Sequence, residues 1–340
     1  MTTRYSVLLA ALLVAGLAPS ASAQELVVGI FGGTFVDNAK KCHAEPFQKA
    51  TGATVKYVLG SSVQTGAKLR AAGGRAEFDV TYMDSEIVKQ MKAENLLQPM
   101  DPTKVAHWND LYDVSKDKDA QWVSLMFAGT MISYNTKLVK TPPTSWSDLW
   151  KPEYKGKLAI PDISGTAGRQ FLIAAARLNG GSLDNVEPGF EAIKKLKPNI
   201  QMMYTQPDQI IPLFERGDIA IAVWYTDRTG AAAMKGVPVA VAYPKEGAIG
   251  IIPTVSVPKG SQKKDLAEKY ISVLLSPEGQ LCYAQTQFAG PSNKKVKLPP
   301  DLAKLVPYGE NVERMYFPDT DVVAKKLPEW AERWGREIAR

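Results

Sequence analysis

The chain has 340 residues, 45% of them apolar and 22% charged, with a formal net charge of +6. That is more chain than one hydrophobic core usually serves, so two lobes are expected, and the apolar share excludes a disordered protein. The basic excess is small and scattered in pairs such as Lys40-Lys41, Lys194-Lys195 and Lys325-Lys326, a pattern of solvated helix faces that excludes a nucleic-acid track.

Residues 1–23 read as an export signal. Arg4 supplies a positive start, residues 7–18 an apolar run, and Ala21-Ser22-Ala23 the small residues a signal peptidase needs, so Gln24 opens the mature chain. The run is short of the ~20 residues that span a bilayer, and no cysteine stands near the cut to carry a lipid. A soluble protein, free in a periplasm, is the expectation. Cys42 and Cys282 are the only cysteines. In an oxidising compartment such a pair tends to bridge, provided the Cα atoms lie within ~7 Å; two separate buried thiols fit the sequence equally.

From residue 26 onward short apolar strands alternate with helical stretches, the pattern of parallel βαβ units. Residues 26–31 form a strand broken by Gly32-Gly33-Thr34, and residues 37–50 a helix ended by Thr51-Gly52. A strand at 55–59, a helix at 61–72 ended by Gly73-Gly74, a strand at 78–82 and a helix at 86–94 follow. After a charged, irregular stretch at 112–121, strands at 122–127 and 131–134 mark a first crossing between lobes. The second lobe repeats the construction, with a strand at 158–160, helices at 168–178 and 187–196, and a buried strand at 219–224. Strands at 239–243 and 249–257 flank the turn Pro244-Lys245-Glu246-Gly247, where the chain crosses back. Helices at 266–275, at 277–285 and from 324 onward finish the fold.

Catalysis has little to work with. His43 and His107 are the only histidines, too few for a histidine-based zinc site or a serine triad, and the phosphate-loop and dinucleotide glycine patterns are missing. His43 is expected at the surface. The sequence offers instead polar loops directly after strands, where open α/β sheets bind ligands. The candidate ligand-binding residues are Thr34 and Phe35 in the first loop, Ser62 in the second, Asp84 in the third, Asp162, Ser164, Gly165 and Thr166 in the fourth, and Trp224, Tyr225 and Asp227 in the fifth. Ser164-Gly165-Thr166 precedes a helix whose free N–H groups suit an anion; a plain helix cap accounts for those residues as well. Asp162 and Asp227 are placed to pair a ligand ammonium, with Trp224 and Tyr225 over its methylenes or facing the charge. The alternative puts Trp224 in the core and leaves Asp227 to cap the next helix.

Residues 144–157 (TSWSDLWKPEYKGK), Tyr243-Pro244-Lys245-Glu246-Gly247, the strand ending at Val257-Pro258, and Leu275-Ser276-Pro277-Glu278 resemble, in order and spacing, the solute-binding proteins of polyamine-type ABC importers. The resemblance spans nearly the whole mature chain. It implies the type 2 periplasmic binding protein fold: two α/β lobes, each a mostly parallel sheet flanked by helices, joined by two crossover strands and closing over ligand in the cleft. On that plan residues 24–131 and 254–300 form one lobe and residues 132–253 and 301–340 the other. Cys42 and Cys282 then share a lobe, which favours a bridge. The partners implied are a small-molecule ligand and a membrane ABC permease, for a monomer with no cofactor, no metal and no enzymatic activity.

Polyamine contacts carry over in part. Thr34, Asp162 and Trp224 occupy positions resembling such contacts, whereas Gly33 and Phe35 stand where these proteins resemble an aromatic and an acid, and Pro253-Thr254 where an aspartate is expected. Burying a polycation with too few carboxylates is heavily penalised. The first expectation is therefore an amine-bearing, polyamine-like solute. The second is a zwitterionic amino acid, an organic acid or a phosphonate, and the third is ferric iron, for which Trp224-Tyr225 stands in place of adjacent tyrosines.

Overall fold

The computed structural model describes residues 24–339 apart from 74 and 76, so the expected export signal lies outside the described residues. In chain order the strands are β1 (Glu25–Ile30), β2 (Thr54–Leu59), β3 (Val80–Asp84), β4 (Leu97–Gln98), β5 (Trp122–Ser124), β6 (Met126–Asn135) and β7 (Leu158–Pro161). They continue with β8 (Ile200–Tyr204), β9 (Ile221–Tyr225), β10 (Val239–Ala242), β11 (Ile249–Ile251), β12 (Pro253–Pro258) and β13 (Gly290–Pro291). One sheet runs β2-β1-β3-β12-β4 with β5 also on β12; the other runs β10-β6-β9-β7-β8 with β11 and β13 also on β6.

Strands connected through helices are parallel, β1 with β2 and β3, and β7 with β8 and β9, because a helical crossover returns the chain to the same end of the sheet. The strands that arrive from the other lobe, β12 and β6, enter from the opposite end and pair antiparallel. The chain passes between the sheets at Leu125, between β5 and β6, and again at Ile252, between β11 and β12. These passages are adjacent: Leu125 N–H donates to the Pro253 carbonyl at 2.9 Å, and Ser124 pairs with Thr254.

Each sheet carries its own core. In β1 the alternating Leu26, Val28 and Ile30 pack with Phe47, Tyr82, Tyr270 and Leu274, the last two from the helix Lys264–Leu275. The second core gathers Ile132, Ile160, Phe171, Phe190 and Ile221, closed by Val323, Trp330 and Trp334 of the C-terminal helix Thr320–Glu337. Fully burying a side chain such as Phe47 or Phe190 contributes about 1.5–3 kcal/mol. Two of the motifs at 144–157 and 243–247 prove to be one device. Trp146 Nε1 donates to the Gly247 carbonyl at 2.9 Å, and Ser145 Oγ and Trp146 N–H donate to Glu246 at 2.5 and 3.1 Å.

The expected helix at 37–50 begins earlier and is interrupted: an α-helix at Thr34–Ala39, a π-helical turn at Lys40–Ala44 and an α-helix at Glu45–Thr51. The π turn inserts an extra residue per turn, and His43, expected at the surface, is buried with 0% exposure. Its Nδ1 lies 3.5 Å from Tyr82 Oη and its ring 4.7 Å from that of Tyr283. The neighbouring Cys42 is bridged to Cys282, with Cα atoms 5.6 Å apart. Strand β8 and the helix Ile211–Arg216 are additions to the sequence reading; β8 is a half-buried edge strand whose Gln201, Met202 and Met203 give no clean alternation.

Burial lowers the His43 pKa from its ordinary 6.5 to about 3. The folded protein keeps the ring neutral while the unfolded chain takes up a proton below pH 6.5, so the His43 contribution to stability is complete above that value and is lost as pH falls toward 3. Urea unfolding across this window is expected to show a decline that is shallower in His43→Gln, by up to about 1.4 kcal/mol per pH unit. Parallel declines would assign the acid sensitivity to other groups.

Candidate functional site

A cavity of about 640 Å³ opens where the two sheets meet. Its floor is the returning passage Gly250, Ile251, Ile252 and Pro253, and strand register places polar groups on either side of it. Pro253 pairs with Asp84 at the end of β3, and Ser85 N–H donates to the Ile252 carbonyl at 3.0 Å. On the other side Thr130 of β6 sits between Ile249 and Tyr225, the last residue of β9. A Cβ on Gly250 would stand 2.1 Å from the Phe317 ring. Glycine therefore lets the segment from Phe317 to Thr320 press against the passage and form one wall. Phe31 and Phe35, edge to face at 5.1 Å, form another.

Of the residues singled out from the sequence, Phe35, Asp84, Thr166, Tyr225 and Asp227 line the cavity. Ser62 lies behind Asp84: its Oγ donates to Asp84 Oδ2 and accepts the Asp84 N–H, both at 3.0 Å. The others lie elsewhere. Thr34 is exposed at the start of its helix. Asp162 accepts the Ser164 N–H at 2.9 Å and the Ser164 hydroxyl at 2.5 Å, which folds the fourth loop onto itself. Gly165 takes the N-cap position of the helix Thr166–Leu178, where the Ala167 N–H is occupied by the Tyr225 hydroxyl at 3.0 Å. Trp224 is 0% exposed and packs on Phe214 at 6.1 Å. Side chains alternate across a strand, so only one of Trp224 and Tyr225 can face the cleft.

Burial pushes the Asp84 carboxyl above its usual range, with Glu86 adding to the rise and the Ser62 hydrogen bond opposing it. Burial likewise raises Asp227, opposed by Arg228 and by backbone N–H groups at the start of the helix Thr226–Met234. Tyr225 is pushed up to about 12, chiefly by burial, and senses Asp227, Arg169 and Asp84 together. The two carboxylates thus converge around one phenol from opposite lobes.

Several cleft residues escaped the sequence reading. Glu86 reaches across the cleft to Arg169 at 3.9 Å. Gln170 accepts the Thr130 hydroxyl at 2.5 Å and donates to the Gly250 carbonyl at 3.1 Å, tying its helix to the crossing. Lys89, Trp122 and the residues from Phe317 to Thr320 also line the cavity. Glu86 and Lys89 follow Asp84 on the next helix, a local cue that the first turn after a strand deserved equal weight; residues 317–320 gave no local cue.

The lining holds four carboxylates, Asp84, Glu86, Asp227 and Asp319, against Lys89 and Arg228. Glu86 is engaged by Arg169, and Arg228 by Asp208 at 3.6 Å. Among the described residues neither Asp84 nor Asp227 forms an ion pair, so both present half-buried, unpaired carboxyl groups that a ligand ammonium would pair with. No group of three or more His, Cys, Asp or Glu is placed to hold a metal ion among the described residues.

Two α/β lobes, joined by paired crossings and enclosing a charged cleft, define a receptor that holds a small solute between its lobes. The chain belongs to the bacterial extracellular solute-binding protein family, whose model matches residues 43–308. It is 28% identical over 307 residues to the spermidine/putrescine-binding periplasmic protein of Salmonella typhimurium, covering 86% of this chain and 83% of that one. It is 26% identical to a gamma-aminobutyric acid-binding protein of Pseudomonas aeruginosa, covering 82% and 79%. A crystal structure of an ABC transporter from Clostridium perfringens superposes with a TM-score of 0.79 at 27% identity, covering 92% of this chain and 99% of that one. These relatives are named for solute binding or transport.

Because burial raises both carboxyls, their ionisation costs the ligand-free fold stability as pH rises past the ordinary carboxylate value. Asp84→Asn and Asp227→Asn are therefore expected to unfold at higher urea than the parent at pH 7, with the gain shrinking toward pH 4. A loss of stability at pH 7 would show that the charges are satisfied internally.

Proposed function

We propose that the protein is the periplasmic substrate-binding component of a bacterial ABC importer, capturing a small amine-bearing, polyamine-like solute and delivering it to a membrane permease. The observation that carries this reading is the pair Asp84 and Asp227, one from each lobe, raised by burial and without an ion-pair partner among the described residues. The relatives named for spermidine/putrescine and for gamma-aminobutyric acid bind molecules that share a primary ammonium at the end of a methylene chain. Here the carboxylates meet the ammonium and the faces of Phe35 and Tyr225 cover the methylenes.

Closure follows from the same charges. An open, empty cleft keeps the two carboxylates hydrated and apart; a cation between them turns repulsion into attraction, so the closed state binds ligand better than the open one. The moving bodies are the two sheets with their flanking helices, parting at Leu125 and Ile252 rather than at residues 131 and 253. The receptor works as a monomer and releases its solute unaltered.

Titration with putrescine followed by thermal unfolding tests the reading. Ligand at 100 times its Kd adds about 2.7 kcal/mol of stability, and Asp84→Asn or Asp227→Asn weakens binding by about 2–5 kcal/mol. No shift in melting temperature with any small amine at millimolar concentration would contradict it.

A further inference from the structure

The aromatic wall of the cleft stands on a helix that its own chain holds poorly. Phe35 belongs to the helix Thr34–Ala39, six residues long, preceded by Gly33 and with no side-chain cap hydrogen bond. A helix so short is marginal unless it packs on something. Here it packs on the helix Pro277–Gln287. Phe35 meets the Tyr283 ring edge to face at 6.3 Å, and Asn38 Nδ2 donates to the Thr286 carbonyl at 3.0 Å and to Gln287 Oε1 at 2.9 Å. Cys42, on the π turn that follows, is bridged to Cys282. The helix Pro277–Gln287 is itself firmly anchored. Ser276 caps it, accepting the Gly279 N–H at 3.0 Å, and Tyr283 is 1% exposed. Gln280 Nε2 donates to the Leu125 carbonyl at 2.8 Å, which ties the helix to the passage between the lobes.

We propose that the Cys42–Cys282 disulfide is a positioning element of the ligand site: it carries the frame of the crossing out to Phe35 and, through it, to Phe31, and so holds the aromatic wall over the cleft. This rests on the amine reading above for its choice of probe. Of the links just described, the ring contact and the Asn38 hydrogen bonds break and re-form as a short helix opens locally; the disulfide does not. Without the bridge Phe35 leaves Tyr283 for part of the time, and affinity falls by the fraction of time the wall is out of place. A disulfide that served stability alone would act on the unfolded chain, closing a loop between cysteines 240 residues apart. It would leave the affinity of the folded receptor unchanged.

The test compares the parent with Cys42→Ser/Cys282→Ser, each with and without Phe35→Ala, by calorimetric titration with putrescine and by amide hydrogen exchange of the ligand-free proteins. Losing the bridge is expected to weaken putrescine binding about 10-fold, as is Phe35→Ala, and the combined variant to bind no more weakly than Phe35→Ala alone, because both changes remove the same wall. In the first seconds, when only local openings exchange, amides of the helix Thr34–Ala39 are expected to exchange at least about 10-fold faster without the bridge, with those of the helix Ser62–Ala72 unchanged. Equal affinity with and without the bridge, losses that multiply, or exchange that quickens in both helices alike would overturn the proposal and leave the disulfide a stabiliser of the fold. If the double-serine variant fails to fold, both measurements are made on the folded parent, reduced with dithiothreitol until thiol titration counts both cysteines. If the parent binds no small amine, the amine reading falls, and the exchange comparison still decides whether the bridge holds the wall.

Discussion

Leu125 donates its N–H to the Pro253 carbonyl at 2.9 Å, and that bond holds side by side the two passages of chain between the lobes. The geometry of the cleft depends on it. With the passages laced together, the register Pro253 to Asp84 on one side and Ile249 to Thr130 to Tyr225 on the other fixes where the ends of β3 and β9 emerge. The residues that follow those strand ends, Ser85 and Glu86 in one lobe and Thr226 and Asp227 in the other, begin helices. Their carboxylates therefore reach the cleft on short, rigid stems. The hinge and the floor of the site are the same few residues, so lobe rotation acts directly on the distance between Asp84 and Asp227.

Electrostatics gives that rotation a direction. Burial raises each carboxyl, so ionising either in the ligand-free cleft is unfavourable until a cation arrives. Elsewhere in the cleft Glu86 is paired with Arg169 and Arg228 with Asp208. The Glu86–Arg169 pair also crosses between lobes and offers a modest contribution to closure, as expected for a partly exposed pair. Affinity and closure are thus the same event seen from two sides.

Much of this was legible in the sequence, and the reason is local. Strands that are short apolar runs such as β1, and helices with strong boundaries such as Glu187–Leu196, announce themselves. Asp84 and Asp227 were legible because residues after strands in α/β sheets face the ligand side. What local pattern cannot give is which of two neighbours faces inward. The sequence admits Trp224 beside Tyr225 at the ligand or Trp224 in the core, and period-2 alternation sends Trp224 to the core. Asp162 and Ser164 looked available and instead bond each other. His43 looked superficial because a regular helix was assumed where the chain makes a π turn. Lys89 and the segment 317–320 line the same cavity only through tertiary packing of elements more than two hundred residues apart in sequence. Sequence spacing carries no trace of that contact.

The central claim is that one ligand ammonium bridges Asp84 and Asp227 across the lobes. A crystal structure with a bound primary amine tests it most directly. The account expects the ammonium nitrogen within about 2.7–3.2 Å of a carboxylate oxygen from each aspartate. An amine seated instead at Asp162 and Ser164, with Asp84 and Asp227 left apart, would contradict it.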